Sequence, residues 1–173
     1  MVGKIEDINW NAGEEDFRKL TERIGSLVTS FAGIEIEVIN ALALIINDNY
    51  LHIGFTIASY MTSSMTVDLF ERLGLIDIKD AVARKELSII VKKLRRAIKL
   101  RNDIVHSAWT YAIDIDNNLN GRLPFFQAKV RNKKNVPGFL SVESDPFTLL
   151  DEAELLVGEI YGLLQNFTTE YLT

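Results

Sequence analysis

Eight apolar residues, Ile24, Leu27, Val28, Phe31, Ile34, Val38, Leu42 and Ile45, recur mostly at steps of three or four. On an α-helix, which turns about 100° per residue, such steps fall on one side. A stripe this long excludes a strand and commits the chain to helices that bury one face against their neighbours. The spacing returns in Leu87, Val91, Leu94, Ile98 and Val105, and again in Leu149, Leu150, Ala153, Leu156, Val157, Ile160, Leu163, Leu164 and Phe167. The first helix is expected from near Gly13 to about Asn47-Asp48-Asn49, with Gly25 and Gly33 as candidate bends. The second should run from about Leu51 to Leu73, with Ile57, Ala58, Met61 and Met65 inward. Leu73-Gly74 followed by Asp77-Ile78-Lys79-Asp80 reads as a stop and a restart. The third helix then spans roughly Asp80 to His106, and the fourth opens at Asp145-Pro146, a capping acid with proline at the first helical position.

After His106 the period drops to two. Trp109, Tyr111, Ile113 and Ile115 alternate with polar or small residues, Asn117 to Gly121 forms a polar run, and Phe126, Ala128 and Val130 alternate with Gln127, Lys129 and Arg131. The expected fold is all-α: an antiparallel four-helix-type bundle with a β-hairpin inserted before the last helix. Residues 1–173 form a single domain, with an N-terminal arm at 1–12 and the insertion at 107–135. A 47% hydrophobic composition supplies the core. Cysteine is absent, which excludes disulfides and thiolate zinc sites. With no signal-like start and no apolar run of about 18 residues, the expectation is a soluble cytoplasmic protein that makes no membrane contact.

The chemistry-bearing string is Arg101-Asn102-Asp103-Ile104-Val105-His106, closing the third helix. A guanidinium suits a phosphate, an imidazole can move protons near neutral pH, and an Asn can orient a phosphate oxygen or a ribose hydroxyl. These residue types suit phosphodiester chemistry with no metal or cofactor. Arg101 falls within the apolar stripe of its helix, where a charge requires a partner. Glu35, inside the first stripe, is the preferred carboxylate, and Asp68 on the second helix is its rival. His52, remote from any ligand pattern, reads as an ordinary surface or capping histidine.

A net charge of −5 is ill suited to a polyanion partner until it is divided along the chain. Residues 92–134 carry 11 Lys/Arg against Asp103, Asp114 and Asp116, a balance of +8; the remainder carries 8 against 21, or −13. Lys92, Arg95 and Lys99 step along the third helix towards Asn102 and His106, and Lys129 and Arg131 lie on the hairpin. These five are the candidate RNA-binding residues.

The string Leu100-Arg-Asn-Asp-Ile-Val-His-Ser-Ala-Trp109, an R-x4-H motif with Asn directly after the Arg at the end of a third helix, resembles the ribonuclease branch of the HEPN superfamily. The architectural resemblance covers about residues 15 to 172, but only the hexapeptide is specific. It implies a helical homodimer in which two motifs form one composite site, and a metal-independent endoribonuclease of toxin–antitoxin or phage-defence type. An antitoxin or nucleotidyltransferase is the protein partner so implied. One subgroup carries Tyr two residues after the His; Ala108 stands here, so regulation by modification of that Tyr is not implied.

In the corresponding mechanism the neighbouring 2′-hydroxyl attacks the phosphate, leaving a 2′,3′-cyclic phosphate and a 5′-hydroxyl. His106 acts as general base or acid, Arg101 offsets charge on the phosphorane, and Asn102 aligns the phosphate or His106. A second His106 from a symmetry mate supplies the complementary proton transfer. The rival reading is a non-catalytic dimer that binds nucleic acid or a protein partner, as an antitoxin or scaffold, with Arg101 purely structural.

Overall fold

In the computed structural model the chain is mostly helical, and residues 10–46, 54–57, 60–111, 125–133, 136–143 and 145–172 are described. Helix α1 is Trp10–Ile46, α2 is Ser63–Asp77, α3 is Ala81–Val105 and α4 is Pro146–Phe167, followed by a π-helical turn, Thr168–Leu172. Strands β1 (Ala108–Tyr111), β2 (Phe125–Lys133) and β3 (Val136–Glu143) precede α4. The chain divides into two compact units, Met1–Ser26 with Asn102–Asp151, and Leu27–Arg101 with Glu152–Thr173.

In the larger unit, Leu27, Phe31, Ile34, Val38, Ala41 and Leu42 of α1 are buried, as the stripe requires. So are Leu87, Ile90, Val91 and Leu94 of α3, and Ala153, Leu156, Ile160, Leu164 and Phe167 of α4. Phe70 meets Phe167 edge to face, with ring centroids 6.2 Å apart at 81°, an arrangement that sets positive ring edge against negative face. Lys93 ties α3 to α4 through Glu159 at 2.6 Å.

Helix α2 departs from its expected bounds at both ends. It begins at Ser63, because the Thr62 hydroxyl accepts from the Met65 N–H and caps the first turn. Met65 and Ile57 are exposed, and the buried face is Thr66, Val67, Phe70 and Gly74. At the other end the helix runs through Gly74 to Asp77. Gly74 is there for packing: a Cβ on it would lie 2.6 Å from Leu87 Cδ2. Arg84 then closes the α2 terminus, donating to the carbonyls of Ile78 (2.7 Å) and Leu75 (3.0 Å). Asp80 caps α3 by accepting from the Ala83 N–H at 2.8 Å.

In the smaller unit, α1 begins at Trp10, inside the segment expected as an arm. The pairs Lys19–Glu15 and Arg18–Glu22, at 2.7 and 2.6 Å, brace its exposed side one turn apart. The lysine holds the Glu15 carboxyl below its ordinary range. Asp145 caps α4, accepting from the Phe147 N–H (3.0 Å) and the Thr148 hydroxyl (2.6 Å) ahead of Pro146. Arg23 reaches Asp151 at 2.7 Å and lies 6.0 Å from the Phe147 ring centroid.

The strands form an antiparallel sheet in the order β1-β2-β3, with Trp109 opposite Gln127 and Tyr111 opposite Phe125. Strand β3 carries the sheet past the expected boundary at residue 135, pairing Lys133 with Val136 and Phe126 with Glu143. Pro137 sits near the start of β3, on an edge of the sheet, where its missing N–H is tolerated. The turn expected at Asn117 to Gly121, with Ile113 and Ile115, lies outside the described residues, as does His52.

Within Glu15–Ile46, α1 is long and apolar enough to span a membrane by length and composition, its most apolar 18-residue window reaching a mean hydropathy of 1.7. The sequence expectation of no such segment is corrected on that count. Glu35 and Glu37 interrupt the apolar run and lower its average, which still meets that criterion. A buried core helix meets the same criterion, and Leu27, Phe31, Ile34, Val38 and Leu42 of this helix are buried.

Candidate functional site

Three of the last carbonyls of α3 are satisfied in succession, and this fixes the end of the helix. The His106 N–H donates to the Asn102 carbonyl at 3.1 Å, the Ser107 hydroxyl to that of Asp103, and the Trp109 indole N–H to that of Ile104 at 3.0 Å. Ile104 is fully buried beneath them. His106 therefore emerges one residue past α3 on a braced backbone, with its side chain exposed. Asn102, one turn earlier and about 40° away around the axis, is exposed as well. Composition gave no hint of the Trp109 bond; the five-residue step from Ile104 across a helix end was the available signal.

Arg101 belongs to the larger unit, where its side chain is half-buried and its Nε enclosed. It precedes His106 by five residues, about 140° around an ideal helix. The carboxylates expected to face it have other partners. Glu35 accepts from the Ser63 hydroxyl, and Asp68 pairs with Arg95 at 2.7 Å. The expected Arg101 pairing thus gives way to contacts local to α1–α2 and α2–α3.

The basic ridge of α3 is also redistributed. Arg95 lies between Asp68 and Glu71, 2.7 Å from each, and the bonds to Asp68 and then Glu71 raise its pKa further. Arg96 is held by Glu152 and Lys93 by Glu159; the Lys93 bond keeps the Glu159 carboxyl below its ordinary range. Lys92 and Lys99 are exposed and, among the described residues, form no ion pair. On β2, Lys129 and Arg131 stand opposite Leu140 and Gly138 in the register. Of the five sequence-predicted RNA-binding residues, Arg95 is thus already engaged by carboxylates.

An exposed imidazole and an exposed amide one turn apart, with a guanidinium immediately before them in the chain, can offer proton transfer, a hydrogen bond to a phosphoryl oxygen and a positive charge. No family model, curated protein or solved structure matches this chain.

Proposed function

We propose that this chain is a HEPN-type metal-independent endoribonuclease of toxin or phage-defence character, working in the cytoplasm as a homodimer with a composite site. The architecture proposed with it is an antiparallel bundle of α1 to α4 bearing the strand region as an insertion. The observation that carries the reading is the Arg101-Asn102…His106 string at the braced end of α3, with Asn102 and His106 exposed one turn apart. His106 serves as general base or acid, Arg101 offsets the growing phosphorane charge, and Asn102 aligns the phosphate or the imidazole. Two copies of His106 across a two-fold axis supply both proton transfers. Lys92 and Lys99, with Lys129 and Arg131, draw the RNA backbone in.

Single-turnover cleavage of mixed single-stranded RNAs in EDTA, with analysis of the product ends, tests this reading. Cyclic phosphate and 5′-hydroxyl ends that disappear in His106→Ala are expected. Intact RNA with wild-type protein would refute it.

One observation favours a non-catalytic dimer that binds a protein partner, an antitoxin or nucleotidyltransferase among them. Leu75, Ile76 and Val82, around the α2–α3 link, are large apolar residues left exposed, as partner surfaces often are. Under that reading the same assay yields no cut RNA.

A further inference from the structure

Glu35, Glu37 and Glu86 are partly covered acids of the larger unit that pair with no cation among the described residues, and of the three Glu35 lines a cleft. Asp68 and Glu71 share Arg95, and Glu152 holds Arg96. Glu35 is half-buried on α1 between Ile34 and Val38, accepts only from the Ser63 hydroxyl, and pairs with no cation among the described residues. A carboxylate partly withdrawn from water with one neutral donor is left short of compensation, and charges in such places are normally paired.

Beside it lies a cleft of about 120 Å³, open to solvent, with Glu35 and Ser63 on its wall and Val38, Met61, Leu94, Ala97 and Ile98 among its apolar sides. Apolar walls with a few converging polar groups are the usual form of a small-molecule site.

We infer that the cleft beside Glu35 binds a small organic cation, a primary ammonium on a compact apolar body. Ser63 spends its one hydroxyl proton on Glu35, and its oxygen lone pairs remain available to accept. The site therefore offers a carboxylate and a hydroxyl oxygen as adjacent acceptors, and an ammonium brings three donors. An anion would be repelled by Glu35, and a neutral hydrocarbon would cover the carboxylate with no cation to offset its charge. Against a cavity of roughly 150 Å³ that takes benzene, the space suits a body of about four to six carbons. This site is independent of the ribonuclease reading and survives its failure.

The test titrates the full-length protein at neutral pH with cyclopentylamine, cyclopentanol and cyclopentanecarboxylate, read by calorimetry and by the NMR shifts of the Met61 and Ile98 methyl groups. The amine should bind about tenfold tighter than the alcohol or better, since a charge-assisted bond is roughly twice as strong as a neutral one and each 1.4 kcal/mol is a factor of about ten. The carboxylate should not bind. Glu35→Gln should bring the amine down to the level of the alcohol, and Ala97→Leu, which fills the cleft, should abolish both. An amine no tighter than the alcohol, a preference that persists in Glu35→Gln, or methyl shifts remote from Met61 and Ile98 would overturn the proposal. If Ala97→Leu fails to fold, the Glu35→Gln and methyl measurements still decide.

Discussion

Replacing Gly74 with Ala sets two effects of known size against each other. Inside a helix the change should stabilise by about 0.8–1.0 kcal/mol, because alanine loses less backbone freedom. The added Cβ, however, would stand 2.6 Å from Leu87 Cδ2, and Leu87 is fully buried. A leucine enclosed on all sides cannot swing clear, and overpacking of this kind costs about 1–3 kcal/mol. Gly74→Ala should therefore be neutral to about 2 kcal/mol destabilising. Leu87→Ala alone should cost about 2–5 kcal/mol, but it removes the clashing methyl groups. In that background Gly74→Ala should turn stabilising by about 1 kcal/mol. Urea unfolding followed by circular dichroism measures all four proteins, and the predicted coupling of about 1–3 kcal/mol exceeds the few tenths expected of independent sites. Equal stabilisation by Gly74→Ala in both backgrounds would show that Gly74 does not pack against Leu87.

Trp109→Phe removes the indole donor from the Ile104 carbonyl, and should cost about 0.5–1.5 kcal/mol by chemical unfolding while slowing any RNA cleavage by loosening His106. Arg95→Gln should lower stability by about 0–1 kcal/mol and leave the salt dependence of RNA binding unchanged. Lys92→Gln and Lys99→Gln should each reduce the slope of log K against log salt by about 0.7 on single strands. Glu159→Gln should lower the melting temperature at neutral pH. Because Lys93 depresses the Glu159 pKa, this advantage of the wild type is present above the ordinary carboxylate range and disappears as pH falls through the folded-state value. A difference that persists at low pH would contradict the ion pair.

The long helices were legible because each repeats its apolar face over several turns, and Leu27, Phe31, Leu87, Leu94 and Leu164 are buried as their spacing requires. The bounds of α2 were not. Ile57, Met61 and Met65 mimic a stripe by their four-residue steps, and the deciding signal is the single hydroxyl of Thr62, which starts a helix with a different inward face. Gly74 looked like a stop because glycine has two uses, and only the proximity of Leu87 distinguishes them. Strand β3 was hidden by Pro137-Gly138, which reads as a turn unless the segment is known to lie at an edge. At the candidate site the string itself was plain in the sequence. The partners of Glu35, Asp68 and Arg95 lie 24 to 28 residues away, and charge pairing over that separation depends on how helices pack, which periodicity does not encode.

The most direct test of the central claim is cleavage of a single-stranded RNA in EDTA by wild type and His106→Ala, with the termini of the products identified. The account predicts 2′,3′-cyclic phosphate and 5′-hydroxyl ends from the wild type, no cutting of the matching DNA, which lacks the attacking hydroxyl, and a rate lower by about 10²–10⁴-fold in a folded His106→Ala. RNA left intact by the wild type, or cut equally fast by His106→Ala, would contradict it.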